Sequence, residues 1–472
     1  MLNRKSFLAV LLLGLLTAWS IVAILLQCDF WLYSSISVFV TIICVFSIDF
    51  KNNIYFVLFL LSFFTFLMGG QLANALFGYR MTYVNSDEDY SFLSKIILLS
   101  LMSLSIGYII GGRLFTPRKE KQYLNDSVKE KNYRIISKML FYIFAIPWFS
   151  VLMEQVIIVR SLSYADYYTF QSQLPFVFDF LSDACPFVFC FFLGTFPSKK
   201  EAKWPMLIVA AYAGISMFTG RRLYFVTYFL LLITYLLVRN KEGNELWITK
   251  RQILFIVVAI PVLIVFLYSY RYIRYGLAVQ TESFFDSFVG FFAQQGYSAN
   301  LIVTSKNYAS IIPDHPYSFA QTIRFVRMNP FTRYVLGLDY SQLYAKTSAY
   351  SALNGGSFAS LMSYLLMPTG YAKGLGTGTC YIAELYTDGG VLGVFLGNFI
   401  YGVIIKRIIS LKKNRFFGNA IALYMFWNFL ISPRYNYDRP FASFLSVSFI
   451  FTIITIFLLQ HFLKKPKISL EY

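Results

Sequence analysis

The chain alternates between long apolar runs and short polar breaks from one end to the other. Runs of about 18 or more residues with almost no charge are the signature of helices that cross a bilayer. Placing boundaries at the breaks predicts twelve spans. The first, Phe7 to Leu26, follows Asn3-Arg4-Lys5. It is long for a signal-peptide core and lacks a small-residue cleavage site, so it is expected to be retained. Spans two to six are Phe30–Ile48, Ile54–Phe77, Phe92–Gly111, Ile135–Ile158 and Phe176–Phe196. Pro205 to Val238 is too long for one helix, and Thr219-Gly220-Arg221-Arg222 divides it into two short spans. Gln252–Tyr270, Gly390–Ile405, Phe416–Ile431 and Phe441–Leu459 complete the set.

The stretch from Arg271 to Gly378 breaks this rhythm, having no segment apolar enough to cross. A connection that long is uncommon and usually functional. Within it, Phe284, Phe285, Phe288, Val289 and Phe292 recur at helical spacing, which predicts a helix over Thr281–Gln295 that lies on the bilayer surface or caps a cavity. Tyr317–Met328 reads as a second helix with Arg324 and Arg327 on one face, stopped by Asn329-Pro330. The expected organisation is therefore nine spans in 1–270, a large external loop in 271–378, and three spans with a tail in 379–472.

Composition settles the class. Apolar residues make up 57% of the chain, charged residues 14%, and Phe plus Tyr number 87. These values override the soluble multidomain reading that 472 residues would suggest, and predict an all-α polytopic membrane protein. The net charge of +18 does not imply a nucleic-acid partner, because the basic residues sit in short loops as orientation signals. Five cysteines without CxxC spacing and two distant histidines suggest neither a disulfide framework nor a metal motif.

Twelve spans put both termini on one face. That face carries 26 of the 41 Lys and Arg residues, so the termini are expected to be cytoplasmic and the long loop external. Inside, 18 of the 26 are Lys; outside, 11 of 15 are Arg. Orientation needs only charge, whereas an Arg-selective face suits planar, bidentate recognition of phosphate or carboxylate.

The candidate arginines come in pairs. Arg221 and Arg222 sit in a tight turn, Arg271 and Arg274 share a helix face, and Arg434 and Arg439 flank a short turn. Snorkelling or an aromatic belt explains any one pair. Three pairs, all at external ends of spans, point to one shared anionic site, with Arg324 and Arg327 in the loop. The glycines of Gly374-Leu375-Gly376-Thr377-Gly378, Gly376 and Gly378 among them, can present amides to an anion. The segment lacks the GK[ST] ending and lies on the wrong face for ATP. Glu384 and Asp388 follow at i,i+4 on one helix face, where pairing with an arginine and catalysis are both open. Glu154 is an acid inside an apolar run, a functional candidate by default. His315, between Pro313-Asp314 and Pro316, is a turn residue for which a general-base role is the alternative.

The run from Gly376 through Thr379-Cys380-Tyr381-Ile382-Ala383-Glu384-Leu385-Tyr386-Thr387-Asp388-Gly389-Gly390 to Val394 resembles the most recognisable segment of bacterial O-antigen polysaccharide polymerases (Wzy) and related repeat-unit polymerases. The Gly220-Arg221-Arg222 turn, the Arg271/Arg274 pair and the Arg434/Arg439 turn match the same group in the same order. The resemblance implies a GT-C-like glycosyltransferase of the bacterial inner membrane that uses neither metal nor cofactor. Its donor and acceptor would be undecaprenyl-pyrophosphate-linked oligosaccharides, with a growing chain passed en bloc to the non-reducing end of a new repeat unit. A chain-length regulator and a flippase would be its partners. Arg222, Arg271 and Glu384 are then the catalytic candidates, with Arg221, Arg274, Arg324, Arg327, Arg434, Arg439, Gly376, Gly378 and Asp388 binding substrate. A ligase-like enzyme with a lipid A-core acceptor would use the same donor. A flippase is the reading from another class, and the lack of internal repeats and the large loop count against it.

Overall fold

The computed structural model describes residues 29–114, 127–161, 172–220, 222–242, 246–274, 282–327, 335–337, 343, 347–408 and 415–463. The described residues form helices and no strand. In chain order the helices are α1 (Phe30–Ile48), α2 (Phe50–Phe77), α3 (Asp87–Leu114), α4 (Ser127–Ser161), α5 (Phe176–Gly194), α6 (Lys199–Ser216), α7 (Arg222–Glu242) and α8 (Lys250–Arg274). They continue with α9 (Phe284–Gln295), α10 (Tyr297–Asn307), α11 (Ala320–Arg327), α12 (Ala349–Asn354), α13 (Phe358–Leu366), α14 (Pro368–Ala372), α15 (Tyr381–Ile408), α16 (Phe416–Phe429) and α17 (Val447–Leu463).

Eight of these are long and apolar enough to cross a membrane, or nine if Arg439–Leu445 and α17, bent by 59°, count as one span. The apolar runs predict twelve, and the difference has local causes. The first expected span lies outside the described residues. The seventh corresponds to α6, whose first turns carry Lys199, Lys200, Glu201 and Lys203, and the eleventh to α16, only 14 residues long.

Contacts group the chain into two compact units. The first comprises Met1–Thr116, Leu236–Ile409 and Asn428–Arg439. At its centre α15 packs along α3 with the two backbones touching. A Cβ on Gly107 would lie 2.1 Å from the Phe399 carbonyl oxygen, and one on Gly402 2.1 Å from that of Leu104. Only glycine permits that approach, the device of small-residue helix pairs in membranes. Helix α15 is itself broken, because Gly389 (φ −145°, ψ 16°) and Gly390 (φ 56°, ψ −144°) leave helical geometry one residue after Asp388.

A second irregularity lies in α2, where Phe64–Met68 form a π-helical turn just before Gly69 and Gly70. Such turns are rare and are frequent at functional sites. The two glycines receive α9 and α10: a Cβ on Gly296 would sit 2.4 Å from the Gly70 nitrogen. Helix α9 falls where the phenylalanine spacing predicts a helix, and α11, led by a 3-10 turn at Tyr317–Phe319, where the second is predicted. Helix α10 was not foreseen. Its residues from Ser298 to Ser305 are all buried, although half of them are polar. Tertiary packing buries this segment without an amphipathic pattern in the sequence.

The second unit comprises Pro117–Tyr235, Ser410–Trp427 and Pro440–Tyr472. Aromatic rings fill it: Trp148 stacks on Tyr212 at 3.5 Å between centroids, and Tyr228 on Trp427 at 5.1 Å. Glu154 accepts hydrogen bonds from Ser172 Oγ (2.6 Å) and the Gln173 amide (2.8 Å), so it ties α4 to the chain leading into α5.

Candidate functional site

Four segments of the first unit converge on the start of α15: the glycine loop 374–379, the first half of α15, the turn 432–439, and α11 with its 3-10 turn. The glycine loop comes first. Gly374 (φ 83°) and Gly378 (φ 77°) supply left-handed backbone, and the Thr377 amide donates to Ser363 Oγ on α13 at 3.0 Å. A Cβ on Gly376 would press on that same oxygen at 3.1 Å. Folded this way, the loop delivers Thr379 to Glu384.

Glu384 is fully buried. Its Oε1 accepts from Thr379 Oγ1 (2.7 Å) and Asn436 Nδ2 (2.6 Å), and its Oε2 accepts from the Tyr437 amide (2.8 Å). A buried carboxylate is tolerable only when donors surround it. Two of these donors come from residues 52 and 53 positions away, so the side chain fastens the 432–439 turn to α15. Rings reinforce the join: Tyr401 stacks between Tyr381 and Tyr437 at 5.1 and 4.7 Å, and its hydroxyl donates to the Tyr437 carbonyl.

One helical turn after Glu384, Asp388 accepts from the Tyr317 amide (3.0 Å) and the Ser318 amide (2.7 Å). Asp438, 1% exposed, accepts from the Thr322 amide at 2.7 Å, while its Oδ1 meets no hydrogen-bond partner among the described residues. Burial pushes its carboxyl above the usual carboxylate range, against the pull of the Thr322 hydrogen bonds. Gln321 Nε2 donates to Asn436 Oδ1 at 2.9 Å. A closed ring results, running from Glu384 through the turn to Asp438, across α11 and its 3-10 turn, and back by Asp388.

The turn carries Arg434 and Arg439. Arg434 Nη1 donates to Gln295 Oε1 (2.6 Å), and the guanidinium lies 5.9 Å from the Phe66 ring centroid, within the π-helical turn. Arg439 Nε donates to Asn428 Oδ1 (3.2 Å), with the guanidinium 4.2 Å from the Tyr435 ring. Arg271 is held differently. Its Nη2 meets Glu282 Oε1 at 2.9 Å, and the rings of Tyr268 and Tyr272 lie 4.0 and 4.6 Å from the guanidinium.

Among the described residues of the first unit, the arginines are spread over several elements. Glu282 precedes α9 and Gln295 ends it, so Arg271 and Arg434 are tied to opposite ends of a 12-residue helix, about 18 Å long. Arg324 and Arg327 ride on α11, the first exposed and the second half-buried. Arg222 begins α7 in the second unit. Arg221, Arg333 and the side chain of Arg274 lie outside the described residues. His315 Nε2 is 3.0 Å from the Leu353 carbonyl oxygen, a contact that holds its turn against α12. Among the described residues, no group of three His, Cys, Asp or Glu side chains is placed to hold a metal ion.

Sequence reasoning missed Asp438, Asn436, Gln295 and Asn428. The one available signal was the polar density of Ser432-Pro433-Arg434-Tyr435-Asn436-Tyr437-Asp438-Arg439, richer in hydrogen-bonding side chains than a turn between two apolar runs requires.

Together these features define a multi-pass helical membrane protein. The family model for O-antigen polysaccharide polymerase Wzy matches residues 4–467, and the chain belongs to that family. Its members are glycosyltransferase-type polymerases acting on lipid-linked oligosaccharide repeat units in membranes. No curated protein and no solved structure matches the chain.

Proposed function

We propose that the protein joins undecaprenyl-pyrophosphate-linked repeat units into a long surface polysaccharide at the outer face of the bacterial cytoplasmic membrane, with both termini cytoplasmic. The growing chain moves en bloc. The bond from its anomeric carbon to the lipid pyrophosphate breaks, and a glycosidic bond forms to a hydroxyl oxygen at the non-reducing end of the incoming unit. The hydroxyl proton passes to water or to the departing pyrophosphate, on which negative charge builds as the bond breaks. Guanidinium groups fixed in place before the reaction stabilise that charge without reorganising. A flippase supplies the units, and a chain-length regulator limits the product.

The observation that carries this reading is the 432–439 turn. Two arginines on one short turn are each oriented by a side-chain amide and an aromatic face, and the turn is fastened by a buried carboxylate. Arg271 remains a further contributor, as do Gly376 and Gly378 through the loop they shape. Glu384 has three donors and no exposure, so its part is to position the turn rather than to exchange a proton with a sugar hydroxyl.

The test uses the full chain in proteoliposomes with purified lipid-linked repeat units. Lysine keeps the charge of arginine but loses the planar fork. Arg434→Lys and Arg439→Lys are each expected to cost about 3–4 kcal/mol, a slowing on the order of a hundred- to a thousand-fold, leaving single units in place of polymer. Normal polymer from both variants would return these arginines to simple anchoring. In cells, a deletion strain should show single lipid-linked units on the outer face; units retained inside would indicate a flippase instead.

A further inference from the structure

We propose that Asp388 and Asp438 are positioning residues: from two separate elements, a membrane helix and a turn, they grip backbone amides at the start of the 317–327 helical segment, and so set where Arg324 and Arg327 stand relative to the 432–439 turn. This rests on the polymerase reading above and names residues that serve its site.

The segment has two beginnings. A 3-10 turn starts at Tyr317 and the α-helix at Ala320, and each leaves amides without an intrahelical acceptor. Asp388 takes the Tyr317 and Ser318 amides of the first, and Asp438 takes the Thr322 amide of the second. Carboxylates belong at a helix N-terminus, where the amide dipoles point outward. The arginines occupy the other end, in the last turn. Acids beside an arginine-bearing segment would ordinarily be read as ion-pair partners. Among the described residues neither makes such a pair; both are engaged by backbone.

The geometry that delivers each acid is specific. Asp388 is the last helical residue before the Gly389–Gly390 break, so its carboxylate emerges at the end of a half-helix. Asp438 sits on the turn that Glu384 fastens, between Tyr437 and Arg439. The segment is therefore located from two points, one on each side of the ring, and Gln321 adds a third contact through Asn436. Two points fix a direction as well as a place. Arg324 and Arg327, at i,i+3, share one face of that fixed helix.

A gripping carboxylate and a proton-transferring one respond differently to the isosteric amide. The carboxamide in D438N retains one oxygen for the Thr322 amide, so this variant is expected to polymerise within about threefold of wild type, and D438A to lose roughly tenfold or more. Asp388 uses both oxygens, so D388N should fall between wild type and D388A. The second readout is hydrogen–deuterium exchange of the 317–322 amides in the full-length protein in nanodiscs, where each alanine variant should exchange faster by roughly tenfold or more.

Unchanged exchange in both alanine variants would overturn the proposal. So would lost protection with full polymerisation, or a D438N variant as inactive as D438A. The two readings fail separately. If Arg434→Lys and Arg439→Lys polymerise normally while the alanine variants lose both protection and rate, the clamp is wrong and the grip stands.

Discussion

Arg271 and the Arg434/Arg439 turn are two arginine settings of the first unit, tied to opposite ends of α9 by different chemistry. Arg271 pairs with the Glu282 carboxylate between two tyrosine rings; the turn arginines are directed by the amides of Gln295 and Asn428. A carboxylate partner holds any cation, so lysine can take the place of arginine with modest loss. A directional N–H to amide-oxygen contact depends on the planar fork, which lysine lacks; the ring contacts are common to both settings and do not separate them. The same residue type, at opposite ends of one helix, is therefore expected to tolerate substitution differently.

The support beneath the turn should give the largest effect. Glu384→Ala leaves three buried donors without an acceptor, a loss of roughly 3–5 kcal/mol by analogy with a broken buried pair. Polymer should vanish and membrane protein level should drop. Glu384→Gln, which keeps one acceptor oxygen, should sit between. Full polymer from Glu384→Ala would show that the turn does not depend on this carboxylate, and immunoblots beside polymer gels read both quantities.

Gly390→Ala comes next. A φ of 56° with ψ of −144° is open essentially to glycine alone, and forcing a Cβ into it costs roughly 1–3 kcal/mol. The damage should fall on the turn side, through Asp388, and leave the Arg271–Glu282 pair as it was. A polymerisation rate unchanged by Gly390→Ala would mean that the break is incidental.

Arg271→Lys is the direct test of the comparison. Lysine can keep the ion pair with Glu282, so the expected slowing is about tenfold or less, well short of the turn variants. Equal severity at Arg271 and Arg439 would break the distinction. Arg324→Lys should be the mildest, within about twofold, since the side chain is exposed and its charge is retained. Complete loss there would move the anionic site from the turn to α11.

The sequence alone determined the class of protein, because burial in a bilayer needs long apolar helices and leaves a pattern that can be read locally. The helices of spans two to six and eight to ten, the amphipathic α9 and the start of α11 all follow from spacing within a single window. The motif from Gly376 to Val394 was likewise legible as a string, as was its family. What the acids do was not. Pairing Glu384 with Asn436, Asp438 with Thr322 and Arg434 with Gln295 joins residues 52, 116 and 139 positions apart. Hydrogen bonds between such residues leave no periodicity, and a turn of mixed polar residues reads the same whether it is solvated or buried. In the same unit α2 meets the α9–α10 junction at Gly70 and Gly296, and α3 meets α15 at Gly107 and Gly402. Each meeting depends on backbone contact between glycines far apart in the chain, and tertiary structure alone decides it.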